Sequence, residues 1–331
     1  MIIKTFDNGW GNEYPAKQFE NYLLSKIYDQ LETSSKKTVV INSVWYSSDY
    51  HAQTVVPFLK SSTQDQIVLV SMLDPAIPNP KQFLGLAQQV VGVGYYPGPG
   101  FIDYWALFLD RHFQEPHMLD IARADQIDTA YICLNRKPHW HRRKFYQELE
   151  QLNLLDSGLV SLGGDNGPPV RTVDEDVGII DLAPNSGVEQ NGIPNDISSL
   201  GDVKNWKRCF LNIVTETVFD VKQNHFVSEK IYKPILGLRP FLVYATDGAV
   251  DWLTARGFEH YCNEFSDITD LDLSKPENIS KFLVTLYQQP KIYWQKKFLD
   301  LREKILYNKH QFSVYLNDQQ KIINEGLTCL I

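Results

Sequence analysis

Apolar and polar positions along this chain alternate in short blocks. Residues 38–46 (TVVINSVWY) and 67–72 (IVLVSM) are runs rich in β-branched and aromatic side chains with polar stretches before them, the pattern of buried strands. Residues 89–95 (QVVGVGY) form a third strand candidate. Between these runs, 49–60 and 80–88 read as helices, and so does 101–113 (FIDYWALFLDRHF). The pattern then restarts. Residues 129–134 (TAYICL), 210–214 and 240–244 read as strands, and 140–154, 227–238 and 248–256 as helices, with Phe145, Leu149 and Leu152 on one face of the first. Strands that alternate with helices predict parallel α/β layers. Two such halves are expected, with a boundary near 116–129, and from Pro276 onward the pattern is helical throughout.

Composition narrows the function classes. With 32 basic and 40 acidic residues the formal charge is −8, which argues against sequence-independent nucleic-acid binding, since that needs a basic footprint. No apolar run approaches the roughly 18 residues that would span a bilayer. The start of the chain lacks the basic-then-apolar signature of a secretory signal. Cys133, Cys209, Cys262 and Cys329 are scattered without metal spacing and read as reduced thiols. A cytoplasmic protein with no integral membrane segment is therefore expected. His139 and His141 form a His-x-His, yet no Cys or carboxylate stands at a zinc spacing from them. Residues 163–202 carry eight acids against one base, Arg171, among many Gly and Pro, and read as a solvated loop insertion.

Two stretches carry candidate chemistry. In 208–245 a strand ends in Thr215-Glu216-Thr217, and Ser228-Glu229-Lys230 then opens an apolar helical pattern. Ser228 is a natural N-cap. The unpaired first-turn amides and the dipole at a helix start favour an anion, and Lys230 adds a positive charge, so this is a candidate diphosphate cradle. Glu229 has the chemistry to accept hydrogen bonds from ribose hydroxyls. Capping and solvation alone also account for the same residues. Pro234, inside the pattern, predicts a short or kinked helix. The second stretch, 135–143 (NRKPHWHRR), follows a strand and opens a helix, where α/β proteins bind ligands. It concentrates Arg136, Lys137, Arg142 and Arg143, and arginine forks match phosphate oxygens; a solvated helix start is the plainer alternative.

Together these stretches resemble the donor half of the alpha-1,3-fucosyltransferases and related inverting GT-B glycosyltransferases. The resemblance runs over about residues 130–260. It rests on Arg142 ahead of Phe145-Tyr146, on Thr215-Glu216-Thr217, on Phe226-Val227-Ser228-Glu229-Lys230, and on Gly237-Leu238-Arg239-Pro240 before the strand 241–244. Where the family has Asn-Ser after the glutamate this chain has Thr217-Val218, and Phe226 replaces a tyrosine. The resemblance implies two Rossmann-like α/β domains facing a cleft: an acceptor-side domain over 1–125, a nucleotide-sugar domain over 126–290, and C-terminal helices over 291–331 that could pack back on the first domain. It implies an inverting, metal-independent glycosyltransferase whose co-substrate is a nucleotide-diphosphate sugar, GDP-fucose first, with a glycan or other hydroxyl acceptor and no further cofactor.

On that resemblance Arg142 and Lys230 bind the diphosphate, with Arg136, Phe226 and Ser228 beside them. Glu229 takes the ribose, and Glu216 sits near the sugar or shapes its turn. The base that deprotonates the acceptor corresponds to Asp74, just after the strand 67–72, with Asp49 and Asp103 in reserve. Trp45, Tyr46, Tyr95, Tyr96 and Tyr104 are candidates for stacking on a sugar acceptor. A non-catalytic sugar-nucleotide or glycan-binding module of the same fold is the alternative, as is a transferase with a different nucleotide sugar. A dehydrogenase is disfavoured, because Gly92-Val93-Gly94 lacks the third glycine and the helix of a dinucleotide fingerprint.

Overall fold

A computed structural model describes the strands at 2–6, 38–43, 66–70, 92–94 and 101–103, and the helical residues 106, 107, 109 and 110. It also describes 123–328 apart from 165–168, 174–199, 201–202, 218, 220–227 and 247. By contacts the chain separates into two compact units, Met1–His112 with Leu316–Ile331, and Phe113–Tyr315.

In the first unit, β1 (Ile2–Phe6), β2 (Thr38–Ser43) and β3 (Gln66–Val70) pair in parallel in that order, Ile2 opposite Val39 and Thr38 opposite Gln66. β4 (Gly92–Gly94) and β5 (Phe101–Asp103) form a second parallel pair. β5 corrects the expectation of a helix over the whole of 101–113. Its first three residues are strand, and helical structure follows at Ala106 and Leu107. The Asp103 carboxylate makes that turn by accepting the Ala106 N–H at 3.0 Å, while the Asp103 N–H donates to the Gln319 side chain at 2.7 Å. β1 was not anticipated from the sequence.

The second unit is built on a four-stranded parallel sheet in the order β7-β6-β8-β9: β6 Thr129–Cys133, β7 Leu159–Val160, β8 Cys209–Thr215 and β9 Phe241–Tyr244. All seven residues of β8 and all four of β9 are buried. A parallel sheet covered on both faces needs near-continuous apolar strands, which is why CFLNIVT and FLVY show no alternation. Helix α1 (Trp140–Gln151) connects β6 to β7, α2 (Val203–Arg208) precedes β8, and α3 (Glu229–Leu236) connects β8 to β9. α4 (Ala249–Thr254), α5 (Pro276–Tyr287), α6 (Lys291–Asp300) and α7 (Arg302–Thr328) complete the described helices. Among the described residues no helix is long and apolar enough to cross a membrane.

Helix ends in this unit are sharply defined. Past α1, Asn153 takes a left-handed conformation (φ 56°), and the Leu154 N–H returns to the Leu149 carbonyl at 2.8 Å. Past α3 the same closure puts Leu238, not Gly237, at positive φ (52°), with the Arg239 N–H on the Pro234 carbonyl at 2.9 Å. Gly237 is needed for room instead. A Cβ there would stand 2.9 Å from the Trp206 ring and 3.0 Å from the Lys233 carbonyl oxygen.

Candidate functional site

After β6 the chain turns toward β7 on one side, and after β8 it turns toward β9 on the other. The carboxyl ends of these two central neighbours therefore form a topological switch point, where open parallel sheets leave a crevice for ligands. Both segments singled out in the sequence lie there. Residues 134–139 lead from β6 into α1, and Glu216 onward leads from β8 toward α3.

Asn135 ties the strand ends together. Its side-chain oxygen accepts from the Thr215 hydroxyl, its amide reaches the Cys133 sulfur at 3.3 Å, and its backbone N–H donates to Ser161 Oγ at 3.1 Å beyond β7. Its carbonyl accepts the Gly163 N–H at 2.8 Å. A Cβ on Gly163 would lie 1.7 Å from the Arg136 carbonyl oxygen, so the two loops touch backbone to backbone.

Arg142, in the first turn of α1, is 2% exposed. Nη2 donates to the Thr215 carbonyl at 3.0 Å and Nη1 to the Lys137 carbonyl at 3.1 Å, while Nε is buried with no partner. Burial lowers its pKa to about 10, opposed by the charges of Glu216 and Glu229, so the guanidinium stays protonated at neutral pH. Beside it, His141 Nε2 lies 2.7 Å from the Glu216 carbonyl oxygen. A carbonyl only accepts, so Nε2 carries the hydrogen.

Glu216, 1% exposed, holds the two segments of the β8–α3 connection together. Its carboxylate accepts the Ser228 N–H at 3.2 Å, the Ser228 hydroxyl at 2.5 Å and the Thr217 N–H at 3.2 Å. Ser228 Oγ in turn caps α3 by accepting the Lys230 N–H at 3.4 Å. The Lys230 ammonium bridges Glu229 Oε1 at 2.5 Å and Thr217 Oγ1 at 3.2 Å. Burial pushes the Glu216 carboxyl up, against the pull of Lys230 and Ser228. Glu229 is also buried, which works against its ionisation. The ammoniums of Lys230 and Lys233 outweigh that and hold it at about 2.

A ladder of rings borders this cluster. His139, the N-cap of α1, stacks on His141 with centroids 6.0 Å apart, His141 on Phe219 at 5.3 Å, and Phe219 packs on Tyr244 at 5.2 Å. Trp140, half exposed, meets Phe219 edge-on at 5.4 Å.

The structure thus groups Arg142, Glu216, Ser228, Glu229 and Lys230 around the Thr215–Thr217 turn. It puts a partly exposed Arg136 on the loop from β6. The Lys230 ammonium lies between two side-chain oxygens, those of Thr217 and Glu229. Asp74, Phe226, Asp49 and the aromatic residues 45, 46, 95, 96 and 104 lie outside the described residues, as does most of the acidic stretch 163–202. Asp103 is engaged in capping. Sequence reading did not anticipate the parts played by Asn135, Thr215 and Phe219. The available signal was their position at or past the carboxyl ends of strands that become central neighbours, which needs the strand order to be known. Among the described residues no three His, Cys, Asp or Glu side chains gather as metal ligands would. Comparison with protein-family models, with curated proteins and with solved structures finds no match in any of the three.

Proposed function

We propose that this chain is an inverting, metal-independent glycosyltransferase whose donor is a nucleoside-diphosphate sugar, with GDP-fucose the first candidate. The observation that carries the reading is the convergence of Arg142, Lys230 and the Ser228-capped start of α3 at the switch point between β6 and β8. Charged side chains and a helix N-terminus at that place suit a diphosphate, and protein cations then do the charge stabilisation that a metal does elsewhere. In this reading the ionised Glu229 exchanges its Lys230 partner for ribose hydroxyls as Lys230 turns to the phosphate. Glu216 holds the turn from which these groups project. Arg142, with two of its nitrogens on carbonyls, acts on the anion by field and through its remaining N–H groups. In this reading residues 126–290 supply donor binding on a GT-B architecture, and 1–125 supply the acceptor side with Asp74 as base.

Calorimetric titration with GDP, UDP and CMP, with and without EDTA, tests the proposal. Micromolar binding of GDP that is indifferent to EDTA and weakens at least tenfold in Lys230→Ala is expected, about 1.4 kcal/mol. Binding of none of the nucleotides would overturn it. Asp74→Ala should keep donor affinity and lose turnover; turnover that survives would remove Asp74 as the base.

A further inference from the structure

His139 is placed unusually for a histidine at a helix start. It is the N-cap of α1 but makes no side-chain capping bond, and its ring lies parallel to that of His141. The charged groups acting on it come from each neighbouring segment: Arg142 and His141 from α1, Lys137 from the loop before it, and Lys230 from α3. Glu216 and Glu229 are close enough to act on Arg142. The dipole at the start of α1 opposes positive charge at the same place. Half burial and those cations bring the imidazole pKa down to about 4, so the ring is neutral near pH 7 in the unliganded site.

A polyanion bound beside these cations would offset their charge at the imidazole and favour its protonated form. We propose that His139 is the proton-coupled member of the anion site: it takes up a proton from solvent as a diphosphate enters, and its imidazolium then adds a positive charge against the bound phosphates. This inference rests on the reading of the crevice as a diphosphate site. The direction follows from linkage. If the bound state holds the proton more tightly than the free state, binding takes up protons and strengthens as pH falls through the bound-state pKa. Neither a covalent bond nor an electron is exchanged; the proton comes from water.

The test uses the full chain. Imidazole carbon–proton NMR signals are recorded at pH 6.0 with and without saturating GDP, the His139 signal being the one missing from His139→Gln. In parallel, calorimetry with GDP, UDP and inorganic pyrophosphate in buffers of different ionisation enthalpy counts protons on the unaltered protein and on His139→Gln, because the terminal phosphates of these ligands also titrate near pH 6 and their share must be subtracted. The expected result is movement of the His139 signal toward the imidazolium position on the unaltered protein, with uptake at pH 6 exceeding that of His139→Gln by roughly 0.5 proton and the difference fading by pH 8.5. GDP, UDP or pyrophosphate binding with a His139 signal that stays neutral and no excess uptake would overturn this inference and leave the crevice reading intact. Failure of all three anions to bind would remove both.

Discussion

Glu216 and Glu229 are buried carboxyls on either side of Ser228, and their surroundings drive them in opposite directions. Three hydrogen bonds and the Lys230 charge do not compensate Glu216 for lost water, so its pKa lies above its ordinary 4.5. Glu229 is also buried, but the Lys230 ammonium, hydrogen-bonded to it, and Lys233 together bring it down to about 2. The stability consequences have opposite signs. Glu216 contributes stability that is complete below its unfolded pKa and is lost as pH rises through its folded value. Glu229 contributes stability that is complete above 4.5 and is lost as pH falls toward about 2. Urea unfolding at pH 7, 4.5 and 3 should therefore show the advantage of the native protein over Glu229→Gln shrinking toward acid, by roughly 1–3 kcal/mol. The advantage over Glu216→Gln should grow toward acid over the same range. Parallel pH profiles for the two variants would contradict the assignment. The sequence made Ser228 readable as a cap because capping chemistry is local, and the structure has its hydroxyl on the Lys230 N–H. It did not foretell that Arg142 would be spent on the Thr215 carbonyl, 73 residues away on the neighbouring strand, and on the Lys137 carbonyl of its own loop.

At the level of elements, the site depends on loops that touch without side chains between them. Gly163 lies against the Arg136 backbone and donates to Asn135, and the Asn135–His139 loop carries the start of α1 with Arg142. Gly163→Ala forces these backbones apart, and a backbone oxygen cannot rotate out of the way as a side chain does. Destabilisation of about 1–3 kcal/mol is expected from overpacking, with nucleotide affinity falling alongside it. Thermal unfolding together with GDP titration checks this; a variant with unchanged stability would show that the approach is looser than described. The same element shows where pattern reading succeeds. β6, β8 and β9 were legible because buried parallel strands are written as near-continuous apolar runs, and α1 because Phe145 and Leu149 recur at helical spacing. β7 has only two residues, Leu159 and Val160, too few for a period to show. Residues 101–113 look helical by composition, but Asp103 caps a strand-to-helix change three residues in. Gly237 follows α3, yet the left-handed conformation falls on Leu238, and the glycine is needed because the Trp206 ring occupies the space a Cβ would take.

At the scale of the molecule, every described residue of the cluster belongs to the unit Phe113–Tyr315, and so do α5, α6 and the part of α7 up to Tyr315, which finish its core. Tyr232 of α3 packs against Phe312 at 5.2 Å and stacks on Tyr315 at 6.5 Å, both from α7. The Arg239 guanidinium, 1% exposed, holds the Trp206 and Lys207 carbonyls at the end of α2 and lies 4.9 Å over the Phe298 ring of α6. Gln295 of α6 donates to the Ile127 carbonyl ahead of β6 at 3.1 Å. A chain cut at 290 keeps the Arg239 bonds to α2 but loses Phe298, Phe312, Tyr315 and Gln295, which uncovers the buried arginine and removes several large aromatic packings at roughly 3–5 kcal/mol each. A chain of residues 113–315 keeps them, and at roughly 200 residues it has the size of an ordinary domain. The 113–315 fragment should therefore unfold cooperatively and bind GDP within about tenfold of the full chain, whereas 126–290 should fail to fold. If transfer chemistry draws its base from the first unit, the longer fragment binds donor and turns nothing over, even at high acceptor concentration. Donor binding by 126–290 would mean that α6 and α7 are dispensable to the cluster. Turnover by 113–315 would mean that the base lies among the residues already grouped at the switch point, with Glu216 and Glu229 the carboxyls to examine first.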